Sequence, residues 1–279
     1  MTQAAHLLAA TDLTPKSVWP LQRAIQMRAE SDCRVTVLSV VEHCLTASIT
    51  ERRLSESLSE LQNWKATLPE AAQPGVSVEV VVGDPFSVIF DGVRAQHADL
   101  AVIGGPSKRG LKELFIGTTA ERVVRFANQP VLIVNQHPNG PYKRVLVAMD
   151  FSGGAKRALE WACRIAPNAE IRLVHAWQPP VKGRAHERLE IDAANRQLRE
   201  QEEQQLKAVV QQVAPALSLL VEIVDDEPYS ALRNRVGSFG ADLLAMGTPA
   251  RSRLSTAIVG SLAQEFLAAG PCDVLVARG

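Results

Sequence analysis

Apolar residues fall in short unbroken runs that alternate with stretches spaced at three and four residues. Arg144 to Met149 reads as a buried strand, after which Ala155, Ala158, Leu159, Ala162 and Ile165 fall on one helical face. Glu170 to Ala176 is the next strand. A long charged helix covers His186 to Val213, with Leu189, Ala193, Leu206, Val209 and Val213 as its apolar stripe. Leu219 to Val224, Leu243 to Met246 and Val274 to Ala277 complete a set of five strands. Pro228 stands where the first turn of a helix tolerates a missing N–H, and another helix follows Gly260. The first half of the chain takes the same course, with its long helix at Ser48 to Leu68. Short apolar strands separated by helices predict an α/β fold with an open, parallel, doubly wound sheet.

The pattern occurs twice. His6-Leu7-Leu8-Ala9-Ala10-Thr11-Asp12 is echoed by Arg144-Val145-Leu146-Val147-Ala148-Met149-Asp150, at an offset of 138 residues. Further on, the offset is a constant 143. Asp84-Pro85 then matches Glu227-Pro228, Asp99 to Gly104 matches Asp242 to Gly247, and Val131 to Val134 matches Val274 to Ala277. Two constant offsets separated by one insertion mark a duplicated unit. The predicted domains are 1–135 and 142–279. The join at 136–141 holds two prolines, so a stiff connection and packed halves are expected.

Composition narrows the class without naming a function. The 279 residues suit two domains of about 100–150 residues each. With 46% hydrophobic residues and no apolar run of membrane-spanning length, a globular, non-membrane chain is expected. Lys+Arg and Asp+Glu both number 30, which argues against general nucleic-acid binding. The segment Met1 to Leu13 lacks the basic start and apolar length of a secretory leader. Cys33, Cys44, Cys163 and Cys272 show no metal-ligand or disulfide spacing, so a reducing cytoplasm is the expected location. His43 and His175 likewise read as ordinary packing or surface residues.

Ligands of doubly wound sheets bind beyond the carboxyl ends of the strands, where strand order reverses. Asp12 and Gly104 stand at two such ends, as do Asp150 and Gly247. Gly104-Gly105-Pro106-Ser107 is followed after nine residues by Gly117-Thr118, and Gly247-Thr248-Pro249-Ala250 by Gly260-Ser261 at the same spacing. A glycine turn feeding a helix N-terminus presents backbone N–H groups and a positive dipole end, which suits phosphate. Lys108, Arg109 and Lys112 in the first copy, and Arg251 and Arg253 in the second, add positive charge. Thr118-x-x-Glu121 and Ser261-x-x-Gln264 also read as capping boxes that satisfy their own helices.

Taken together, these motifs make both halves resemble the universal stress protein family, over nearly the whole chain. That signature is G-x-x-G, nine residues, then G-[S/T], with an Asp closing the first strand. Asp150 to Leu159 and the closing segment Ala127 to Val134 are similar to the family as well. The resemblance implies two Rossmann-like domains of the adenine nucleotide alpha hydrolase type, joined through strand five as an intrachain pseudo-dimer. It implies binding of an adenine nucleotide, ATP with Mg²⁺, at Asp12, Val40, Gly104, Ser107, Lys108, Gly117 and Thr118 in copy one. In copy two it implies Asp150, Ala176, Gly247, Arg251, Gly260 and Ser261.

The second glycine of the signature is Ser107 in one copy and Ala250 in the other, each preceded by a proline with no N–H to offer. Two readings therefore stand side by side. One is a stress-response protein that acts through nucleotide binding. The other is a scaffold of the same fold that binds protein partners without nucleotide. A further homodimer is compatible with both. No residue stands out as a general base, so at most slow ATP hydrolysis is expected. A response-regulator reading fails because Thr11-Asp12 and Val134-Asn135 stand where an acidic pair and a lysine are needed.

Overall fold

A computed structural model of the chain describes residues 4–43, 46–69, 73–105, 117–178, 188–215, 219–248 and 259–279. In the first half, strands β1 (Ala5–Thr11), β2 (Cys33–Val41), β3 (Val76–Val82), β4 (Leu100–Gly104) and β5 (Val131–Val134) alternate with helices. Those helices are α1 (Val18–Glu30), α2 (Ala47–Ala66), α3 (Pro85–Ala95) and α4 (Thr119–Phe126). The second half repeats the order with β6 (Arg144–Ala148), α5 (Gly153–Ile165), β7 (Glu170–Trp177), α6 (Arg188–Val213) and β8 (Leu220–Asp225). It closes with α7 (Pro228–Phe239), β9 (Leu243–Thr248), α8 (Ser261–Ala269) and β10 (Asp273–Arg278).

All ten strands join one sheet, in the order β3-β2-β1-β4-β5-β10-β9-β6-β7-β8. Pairing is parallel within each half and antiparallel only between β5 and β10, where Leu132 lies opposite Leu275. Every residue of both strands is buried. In a single half such a strand would leave an apolar edge open to pairing with other chains; joining the two removes both edges. Side chains alternate across the sheet as the pleat requires. Leu132 and Leu275 enter a core under α1, α2, α5 and α6, whereas Val131, Ile133, Val274 and Val276 enter the core on the opposite face. The expected pseudo-dimer through strand five is the observed arrangement.

Local signals account for most helix starts. Asp84 and Glu227 precede Pro85 and Pro228, and their carboxylates accept the Ser87 and Ser230 N–H groups at 2.9 and 3.1 Å. The long helix of copy two departs from expectation in its first half. Leu206 and Val209 are buried, but Ala193 is exposed, and the Leu189 side chain is outside the described residues. Among the described side chains of α6, those that reach the core come from its C-terminal half.

A buried polar cluster fastens the halves beside the β5–β10 seam. Asp273 receives the Asn135 and Gln136 N–H groups at 2.8 and 3.2 Å, the Tyr142 hydroxyl at 2.7 Å and Arg23 Nε at 3.2 Å. Arg23 also lies 4.0 Å from the Tyr142 ring centroid and donates to the Gly140 carbonyl at 2.8 Å. Burial pushes the Asp273 carboxyl up, and the Arg23 guanidinium and these donors only partly offset it. The connection is thereby pinned at Gly140, and at Pro138 by Gln26.

Candidate functional site

The order β3-β2-β1-β4-β5 places its reversal between β1 and β4, and a cleft of about 680 Å³ opens there. Asp12, Val40 and Gly104 all line it. Its base is built from strand ends, and its far wall is Thr119 and Ala120 at the start of α4. Asp12 accepts the Thr14 N–H at 3.0 Å and the Thr14 hydroxyl at 2.7 Å. Partial desolvation would raise this carboxyl, but the Ser17 and Thr14 donors outweigh it and hold it below the ordinary aspartate value. It is an anion, exposed at the rim.

The turn after the first strand is strained in the same way in both copies. Leu13 and Phe151 both have φ of 62°, a left-handed conformation that ordinary side chains enter at a cost of about 1–2 kcal/mol. Asp150 holds its turn as Asp12 does, accepting the Ser152 N–H at 3.0 Å and hydroxyl at 2.5 Å. Beyond this turn the copies diverge.

In copy two, Ser152 caps α5 by accepting the Ala155 N–H at 3.1 Å, so the helix begins at Gly153. Its first turn then lies directly on the ends of β9 and β10. A Cβ on Gly154 would stand 2.8 Å from the Thr248 carbonyl, and one on Gly247 only 2.4 Å from the Ala155 nitrogen. These glycines permit a backbone-to-backbone contact that no side chain could enter. Copy one has Lys16 where copy two has Gly154. There α1 begins only at Val18, and a Cβ on Gly104 would meet nothing closer than a Pro20 side-chain carbon at 3.7 Å. The late start leaves room, and Lys16 lines the cleft that results.

Ala176 is half-buried beside a side-chain network that spans the corresponding corner of copy two. His175 bonds the Met149 carbonyl at 2.7 Å and the Glu202 carboxylate at 2.9 Å, while its ring packs 5.0 Å from Phe151. Among the described residues, copy two thus sets the start of α5 and the His175 network at positions where copy one has Lys16 and the cleft.

The helix starts proposed for phosphate also differ. Thr118 caps α4, accepting the Glu121 N–H at 3.1 Å, and Glu121 reaches back to the Gly117 N–H at 3.4 Å. The Thr118 half of the expected capping box forms there, with Glu121 accepting from the residue before the cap. In copy two the cap residue is Gly260 with no side-chain cap bond, because α8 starts one position earlier and takes Ser261 into its first turn. The Ser261–Gln264 box is therefore not formed. Ser107, Lys108, Arg109, Lys112, Ala250, Arg251 and Arg253 lie outside the described residues.

Sequence reasoning missed three contributors to the cleft: Lys16, Trp19 and the face of α2 carrying Arg53, Glu56 and Glu60. The spacing of the last three was a usable signal, since it puts them on one side of a helix. Trp19 also meets His137 of the interdomain connection edge-on, with ring centroids 6.0 Å apart.

The description of the universal stress protein family matches residues 4–135 and again 141–278. The chain belongs to that family. Among curated relatives, universal stress protein MJ0531 of Methanocaldococcus jannaschii is 29% identical over 138 residues, covering 47% of this chain and 81% of that protein. Universal stress protein YxiE of Bacillus subtilis is 27% identical over 143 residues, 46% of this chain and 97% of the relative. Each relative is matched by about half of the chain, as a tandem universal stress protein requires. A solved universal stress protein from Archaeoglobus fulgidus superposes over 99% of both chains with a TM-score of 0.73 at 23% identity, which shows a shared fold. Among the described residues no helix is long and apolar enough to cross a membrane.

Proposed function

We propose that this tandem universal stress protein binds one adenine nucleotide, in copy one, and signals its occupancy rather than turning it over. The observation that carries the reading is the cleft at the reversal of strand order in domain 1–135. Its volume of about 680 Å³ falls within the usual range for small-molecule sites. Val40 and neighbouring strand ends would hold the base, and Asp12 would accept hydrogen bonds from the nucleoside. Gly104, Gly105 and the start of α4 would face the phosphates.

The described walls carry four carboxylates, Asp12, Glu42, Glu56 and Glu60, against Lys16 and Arg53. A triphosphate therefore needs further positive charge, which Mg²⁺ and the Lys108, Arg109 and Lys112 segment would supply. Domain 142–279 would serve as the structural partner of the first, a reading supported by the first turn of α5 lying directly on the ends of β9 and β10.

One observation favours a second reading, a nucleotide-free scaffold. The Gly117 N–H and the Thr118 hydroxyl, the remnants of the phosphate signature, are both engaged with Glu121. Analysis of nucleotide released by heating protein purified from its host separates the two. The nucleotide reading expects an adenine nucleotide in the extract. A clean extract, together with no saturable binding of labelled ATP and Mg²⁺ at millimolar concentration, would establish the scaffold instead.

A further inference from the structure

The halves also differ at the outer edges of the sheet. Among the described residues β3 and β8 are its terminal strands, so each leaves one row of backbone N–H and C=O groups without a neighbouring strand. Beside β8 the chain fills the corner between edge and helix by itself. Arg235 of α7 places Nε 2.8 Å from Glu222. Arg172 reaches the same carboxylate at 3.5 Å and lays its guanidinium 4.1 Å from the Phe239 ring centroid.

The repeat relates these positions to copy one. Glu222 corresponds to Glu79, Arg235 to Gly92 and Phe239 to Gln96 at the offset of 143 residues, and Arg172 corresponds to Thr36 by strand register. Copy one keeps the carboxylate and lacks both guanidinium groups and the ring. What remains is a groove of about 450 Å³ between β3 and α3, with Leu38 and Gly92 in its floor. Glu79 and Asp91 stand on it; Glu79 accepts the neutral Gln96 side-chain amide at 2.7 Å, and among the described residues neither carboxylate has a cationic partner. Val81, on the same face of β3 as Glu79, is 38% exposed.

We infer that this groove receives an extended, arginine-bearing segment of a partner protein, added as a strand along β3 with a guanidinium against Glu79 and Asp91. Copy two is the internal precedent: there the corresponding carboxylate beside the corresponding edge is ion-paired with Arg235 and Arg172. An added strand would satisfy the open backbone row, and every second side chain would meet the row of Ser77, Glu79 and Val81. Arginine suits the position because its planar fork reaches two carboxylate oxygens at once and its face packs on apolar surface. The groove lies on the far side of α3 from the cleft, so the inference stands whatever the cleft binds.

Fluorescence anisotropy with the full chain and a labelled peptide of alternating valine and arginine tests this, with glutamate replacing arginine in a control peptide. Saturable binding of the basic peptide is expected, weakened about tenfold by the double change Glu79→Gln and Asp91→Asn. Gly92→Arg, which gives copy one the side chain of copy two, should compete with the peptide and weaken it similarly. If Gly92→Arg does not fold, the carboxamide double variant decides alone. Binding should also slow amide exchange in Val76–Val82 and leave β8 unchanged. Absence of saturable binding, equal affinity for the two peptides, or an affinity untouched by the double variant would overturn the inference.

Discussion

The two copies share a strand order, a strained turn and an aspartate at its rim, yet among the described residues a cleft opens at the reversal point of copy one, whereas in copy two the start of α5 lies against the strand ends. The difference traces to Gly154 against Lys16. With glycine there and at Gly247, the first turn of α5 sinks onto the ends of β9 and β10. With lysine, the helix starts three residues later in the repeat and a cleft of about 680 Å³ remains. Duplication supplied two equivalent strand-end turns, and the packing of one helix start distinguishes them. A strand-end glycine is therefore ambiguous by itself: Gly104 borders space, whereas Gly247 is covered by backbone.

The largest expected effect comes from separating the halves that the comparison treats as one body. Asp273→Ala leaves Arg23 buried without its carboxylate and should cost about 3–5 kcal/mol of stability in urea unfolding. A change near zero would show that the cluster does not fasten the seam. Next comes a pair of matched substitutions. Gly247→Val drives side-chain atoms into the α5 backbone and should destabilise by about 3 kcal/mol, whereas Gly104→Val, whose Cβ meets only a Pro20 side-chain carbon at ordinary contact distance, should cost less than about 1 kcal/mol. Equal costs in calorimetry would erase the distinction drawn between the copies.

The smallest effect is electrostatic. Asp12 is held below the ordinary aspartate value in the folded chain, so its contribution is present above the unfolded value and is lost as pH falls through the lower folded value. Asp12→Asn should therefore reduce the loss of thermal stability as pH falls below the ordinary aspartate value of about 4. An unchanged acid limb would mean that the turn does not hold the anion.

How much of this was legible depends on the distance over which each feature is made. The fold was legible because short apolar runs, the two offsets and the prolines at Pro85 and Pro228 act locally. Pairing of β5 with β10 followed from the family resemblance and agrees with their unbroken apolar sequences. Asp12 and Gly104 were legible because strand ends mark the reversal point in any such sheet, whereas Val40 came only from the family resemblance. The cluster of Arg23, Tyr142 and Asp273 was not, since its ion pair joins residues 250 apart whose charges resemble surface charges in the sequence. Nor was the closure of copy two, because a glycine at position 154 acquires meaning only when Gly247 is known to lie beneath it. The Ser261 cap was misjudged by one residue, enough to exchange a capping hydroxyl for a first-turn one.

The account rests most heavily on the claim that only copy one offers a nucleotide cleft. Equilibrium dialysis of labelled ATP with Mg²⁺ against the full chain counts the sites directly, and Val40→Trp, which places a large ring in the cleft wall, assigns them. The prediction is one nucleotide per chain, reduced to none by Val40→Trp. Two nucleotides per chain, none, or one that survives the substitution would contradict it.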